Sequence, residues 1–132
     1  MRTYLLDTNI WIWIIRRAPR PVSRLAQLDP AQVRLSYFVL GELEVGRNLA
    51  SRPRQQRSLD ELTARLPVNL IDAHVAAKFG EVAAGLRMKG LQIGVNDTWI
   101  AAEALRYDQT LVTANVAEFS RVPGLRVENW LE

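Results

Sequence analysis

Short runs of apolar, β-favouring residues alternate along the chain with longer stretches whose apolar positions recur every three or four residues, without repeats or low-complexity tracts. Thr3 to Leu6 reads as a short buried strand, and Thr8 to Arg16 as a helix apolar nearly all round. Pro19 and Pro21 are expected to break the chain before a helix from Val22 to Leu28; Asp29-Pro30 then leads into a strand at Val33 to Ser36. Helix formers fill Val39 to Leu49. Arg52 to Leu66 follows as a charged amphipathic helix with Leu59, Leu62 and Leu66 on one face, and the two are expected to form an antiparallel pair. Pro67 stops them, Val68 to Ile71 reads as a third strand, and a long helix opens at Asp72 or Ala73 and runs to Gly90. Leu91 to Asn96 reads as a loop, Asp97 to Tyr107 as a helix, Thr110 to Thr113 as a strand, Val116 to Phe119 as a helical turn and Leu125 to Val127 as a last strand.

Strands that alternate with helices favour βαβ units, hence a mostly parallel sheet of about five strands in a three-layer α/β/α, Rossmann-like domain spanning 1–132. At 132 residues and 48% hydrophobic content, one domain with one core is expected. In open sheets of this kind ligands bind beyond the carboxyl ends of the strands.

Composition narrows the chemistry. The absence of cysteine excludes disulfides, cysteine-ligated zinc, iron–sulfur clusters and thiol catalysis, and fits a reducing, cytoplasmic setting. Ile10 to Ile15 is too short to span a membrane, so no membrane association is expected. Net charge is only +3, but fifteen of the seventeen basic residues are arginine, and they cluster at Arg16, Arg17, Arg20, Arg24 and again at Arg47, Arg52, Arg54, Arg57. Guanidinium groups suit forked contacts with phosphate, and a solvated basic surface is the plainer alternative.

Polar residues at the expected carboxyl edge are few: Asp7 directly after the first strand, Asp97 at a helix start and Asn115 just past the strand ending at Thr113. Glu42 lies early in the helix after the second strand. Carboxylates converging there would repel unless a cation neutralises them, and hard oxygen ligands suit magnesium or manganese. The alternative for Asp7 and Asp97 is helix capping, worth about 1 kcal/mol each. Glu42 is inside a helix and cannot be a cap; Glu44 points about 200° away, so only one of the two faces the site. His74, the lone histidine, is expected at a helix start away from this edge. The tryptophans are expected to pack, either in the core or at a subunit interface.

Leu5-Leu6-Asp7-Thr8-Asn9, Glu42-Leu43-x-x-Gly46, Asn96-Asp97-x-x-Ile100-Ala101-Ala102 and Leu111-Val112-Thr113-x-Asn115-x-x-Glu118-Phe119, with a closing Val122-Pro123-Gly124-Leu125-x-Val127-Glu128-Asn129-Trp130, occur in one chain in this order. Together they resemble the PIN-domain endoribonucleases, specifically the VapC-type toxins of type II toxin–antitoxin pairs. The resemblance implies a PIN-like fold, with Asp7 and Asp97 binding Mg2+ (or Mn2+) directly and Glu42 directly or through water. It selects Glu42 over Glu44. Many members of that family carry an aspartate where this chain has Asn115, and Glu118 one turn later is the candidate for the missing charge. Thr113, with Thr8 and Asn9, is expected to orient ligands or water, while Arg16, Arg17 and Arg47 are candidates for RNA phosphates. The same resemblance implies a metal-dependent ribonuclease that inhibits translation and growth, a homodimer, with RNA as substrate and a cognate antitoxin as partner.

Two other readings remain. A haloacid-dehalogenase-type phosphatase would use Asp7 as nucleophile, yet expects a second aspartate where Asn9 stands. A catalytically degenerate PIN-fold module that binds RNA or protein is favoured by Asn115 and opposed by three intact carboxylates.

Overall fold

The structure, a computed structural model, describes the backbone of residues 1–49 and 53–132 and the side chains of residues 1–49 and 57–132. Arg52 and the Arg54 side chain therefore lie outside the described residues. Strand β1 (Tyr4–Leu6) is buried along its whole length, and all three of its residues are apolar or aromatic. It lies between β2 (Val33–Arg34) and β3 (Thr110–Val112), and β4 (Val127–Glu128) completes the order β2-β1-β3-β4, every pair parallel.

Parallel neighbours require crossovers, and helices supply them. From β1 the chain passes through α1 (Thr8–Ile15) and α2 (Pro19–Ala26) to β2, returns through α3 (Tyr37–Leu49), α4 (Pro53–Arg65), α5 (Ala73–Met88) and α6 (Val95–Arg106) to β3, and reaches β4 after the short α7 (Val116–Phe119). The core gathers Leu5, Leu6, Ile10 and Trp11 against Val33, Leu35, Ile100, Leu111 and Phe119. Connections leave β1 in one direction to β2, whereas the chain later enters β3 on its other side. The crevice between the carboxyl ends of β1 and β3 is thus the switch point where such sheets bind ligands.

Several expected boundaries shift for physical reasons. The fifth strand shrinks to one parallel bridge between Leu35 and Val68, because Pro67 has no N–H to donate and the Asn69 side chain turns inward. Leu70, expected inside that strand, is 70% exposed. Proline does not break the chain at residue 19 but opens α2, where a missing N–H at the first helical position costs nothing. Residues before the expected start of α6 already coil, so its N-cap is Gly94 and Asp97 sits inside the first turn without a capping bond. The last strand lies one to two residues later than the sequence suggested.

A polar knot behind the sheet has no counterpart among the sequence-based expectations. Glu103 of α6 is fully buried and accepts hydrogen bonds from the Ser36 hydroxyl at 2.9 Å and the Asn69 amide at 2.8 Å. Asn69 and Gln109 exchange amide hydrogen bonds at 2.8 and 3.1 Å. Ser36 in turn accepts the N–H groups of Phe38 and Val39 at the start of α3. Burial pushes the Glu103 carboxyl up to about 7, against the lowering effect of Asn69 and Ser36. Among the described residues no helix is long and apolar enough to cross a membrane.

Candidate active site

Asp7 leaves β1 with its backbone still in the sheet, its N–H donating to the Val112 carbonyl at 2.8 Å. Its side chain is pinned on two sides: the Thr8 N–H donates to Oδ1 at 2.8 Å and the Thr113 hydroxyl to Oδ2 at 2.8 Å. The expected cap is therefore real, and a second bond from β3 fixes the rotamer. Only 6% of Asp7 is exposed; burial raises its pKa, while Thr113 and Thr8 pull it down. Thr113 also accepts the Asn115 N–H at 3.0 Å, and Asn9 Oδ1 accepts that of Ala114 at 3.3 Å. These bonds tie the loop after β3 to the start of α1.

Glu42 of α3 reaches the same edge, since the Thr8 hydroxyl donates to its Oε1 at 3.0 Å. Glu44 instead turns to Arg47 at 3.4 Å, as its helical phase requires. Arg47 is also held by Asp60 of α4 at 2.6 Å, so it braces α3 against α4 and its guanidinium is already engaged. Arg16 and Arg17 are exposed at the far end of α1. Exposed His74 sits in the first turn of α5, which Asp72 caps.

Asp97 completes the cluster from α6. Its carboxyl is pushed up to about 6, first by desolvation and then by the negative charges of Asp7, Glu42 and Glu118. That pattern places four carboxylates from four separate segments within electrostatic reach of one another. None of the four forms an ion pair among the described residues, and Asp97 and Glu118 accept no hydrogen bond there. Glu118 thus bears on the site electrostatically. Asn115 touches it through its backbone N–H alone; the side chain makes no capping bond. No three His, Cys, Asp or Glu side chains among the described residues stand in a ready-made ligating group. The donor set is all oxygen, partly desolvated and negatively charged, which is the chemistry that accepts a hard divalent cation.

The sequence matches the PIN domain family over residues 4–125. Over 130 residues, the chain is 37% identical to a Rickettsia felis protein named ribonuclease VapC2, the match covering 96% of this chain and 97% of that one. It is 32% identical over 131 residues, 98% of this chain and 99% of the relative, to a Salmonella typhimurium protein named tRNA(fMet)-specific endonuclease VapC. The crystal structure of VapBC2 from Rickettsia felis bound to a promoter DNA fragment contains a chain similar in fold, with a TM-score of 0.86 at 35% identity over 97% of this chain and 98% of that chain.

Proposed function

This chain belongs to the PIN domain family and, within it, to the VapC ribonucleases; from that membership we propose a divalent-cation-dependent endoribonuclease, the toxin of a toxin–antitoxin pair. The observation that carries the reading is the gathering of Asp7, Glu42, Asp97 and Glu118 at the switch point with no ion pair to a basic side chain among the described residues. An unneutralised cluster of this kind is costly to build and has no structural use.

Asp7, Asp97 and Glu42 would hold Mg2+, with Mn2+ as the substitute the same ligands accept. Bound there, the ion supplies an acidified water and stabilises charge on phosphoryl oxygens during hydrolysis of a phosphodiester. The chain's own residues do the positioning. Thr113 and the Thr8 N–H hold both oxygens of Asp7, and the Thr8 hydroxyl aims Glu42, so the first ligands need little rearrangement. Glu118 would supply the charge that Asn115 lacks. Hydrolysis replaces one P–O ester bond of the RNA by P–OH and frees the other fragment as an alcohol.

The naming of one 32% identical relative for tRNA(fMet) makes that RNA the first substrate to offer. The solved VapBC2 complex supports a cognate antitoxin as partner and promoter DNA as the target of the pair. A homodimer and growth arrest through loss of translation belong to the same reading. The test is cleavage of tRNA(fMet) and total RNA by antitoxin-free protein with Mg2+, Mn2+ or EDTA. Cleavage with either ion, none with EDTA, and a drop of at least about a hundredfold in Asp7→Asn and Asp97→Asn are expected. Cleavage that survives the chelator, or persists in both variants, overturns the metal assignment.

A further inference from the structure

Packing accounts for three of the four tryptophans. Trp11 is fully buried, Trp130 packs on Tyr4 with ring centroids 5.7 Å apart, and Trp99 stacks on Phe79 at 4.0 Å and Phe38 at 5.5 Å. Trp13, in the last turn of α1, is 43% exposed and so is not part of the core.

The backbone around Trp13 is held unusually firmly. The Arg17 N–H donates to the Ile14 carbonyl at 2.9 Å and the Ala18 N–H to the Trp13 carbonyl at 2.9 Å, the paired bonds of a Schellman helix end. That motif needs a left-handed residue. Arg17 fills it with φ of 62°, where α5 uses Gly90 at 68°. The Arg16 guanidinium, just before it, lies 5.7 Å from the Trp13 ring centroid, whereas Arg17 lines a separate hollow with Ile14, Leu25 and Glu61. A hollow of about 310 Å3 opens beside the ring, floored by Ala18, Pro19, Pro21 and Leu131 and edged by Arg20.

Two guanidiniums flank the ring without an ion pair: Arg16 and Arg20 have no carboxylate within 4.0 Å among the described residues, a state they share with several other surface arginines but, unlike those, beside an exposed indole. A neighbouring hollow shares Pro19 and Arg20 and is walled by Glu128 and Asn129. The Glu128 carbonyl accepts the Thr113 N–H at 2.9 Å, and its carboxylate is neutralised by Arg24 at 3.0 Å. Glu128 thus links β3, whose Thr113 is fully buried beside Asp7, to the hollow next to that of Trp13. Along α1 the ring is five residues beyond Thr8, about 8 Å of helix, roughly the span of one or two nucleotides.

We propose that this face is an RNA subsite, in which an unpaired base near the scissile bond stacks on Trp13 while Arg16 and Arg20 hold the flanking phosphates. The inference rests on RNA being the substrate. An exposed indole ringed by unpaired guanidiniums is the combination that binds single strands without needing base-edge contacts.

The experiment measures binding of a fluorescent single-stranded oligoribonucleotide in EDTA, so that binding is read apart from cleavage. Trp13→Ala should weaken it about tenfold, and Trp13→Phe by much less, because the phenyl ring still stacks. An oligomer of equal length with abasic positions should bind both proteins alike. Arg16→Ala and Arg20→Ala should weaken normal and abasic oligomers equally and flatten the salt dependence. Thermal melts establish that each variant is folded. Unchanged affinity in folded Trp13→Ala, or an equal loss for the abasic oligomer, overturns the subsite. So does a changed oligomeric state with RNA affinity intact, which assigns the face to protein contact. Failure of cleavage by the wild type alongside these binding differences would fault the catalytic reading and leave the subsite standing.

Discussion

Helix α6 carries two carboxylates with opposite solutions to the same problem. Asp97 is partly and Glu103 fully removed from water, and desolvation raises both, to about 6 and about 7. Glu103 is enclosed and satisfied from within, by Ser36 and by an Asn69 that is itself locked to Gln109. Asp97 accepts no hydrogen bond among the described residues and faces three other negative groups at the sheet edge. A buried acid with internal partners is architecture. One left unpartnered among like charges is, in the function proposed above, where a cation would bind.

The sharpest way to break this contrast is to remove each charge. Asp97→Asn should cut RNA cleavage by at least about a hundredfold, yet raise the melting temperature of metal-free protein by relieving repulsion; parallel cleavage assays and melts with EDTA check both halves. Glu103→Ala should do the reverse, costing about 2 to 4 kcal/mol in denaturant unfolding, because Ser36 and Asn69 lose a buried partner. Folded Glu103→Ala protein at low temperature should keep its metal response.

Proton linkage separates the pair next. Glu103 in the unfolded chain releases its proton near its ordinary 4.5, while the native state keeps it up to about 7. The native state therefore binds more protons across that window, so stability falls as pH rises from 4.5 to 7, by on the order of 3 kcal/mol from this group. The difference between wild type and Glu103→Gln in melts over this range should carry that slope. A smaller effect is expected from magnesium. It should raise the wild-type melting temperature and leave Asp7→Asn and Asp97→Asn unmoved, since stabilisation requires binding to the native site. Smallest of all, Asn115→Asp should strengthen apparent metal affinity several-fold, read by titration of activity.

Much of this was legible in the chain because the signals are local. The alternation of strand and helix, the cap at Asp7, the helical phase that separates Glu42 from Glu44 and the stop at Gly90 depend on neighbours within a turn or two. What escaped notice depended on distant partners. Asn69 looked like part of a strand until its amide met Glu103, 34 residues away. Glu103 itself carried no signal, sitting among alanines with the phase of any core position. Arg47 read as an RNA contact until Asp60 took its guanidinium. For Trp13 the sequence left core and subunit interface open, and its position on α1 faces out.

The order of residues was thus enough to specify a parallel α/β domain and to nominate Asp7 and Asp97, since periodicity and residue type encode burial and chemistry locally, while the resemblance to PIN-domain ribonucleases selected Glu42. Whether Asp97 capped its helix or crowded other carboxylates, whether Glu103 found partners, and which tryptophan met solvent were questions of long-range packing. Those answers depend on which surfaces the sheet brings together, and no spacing along a single segment contains them.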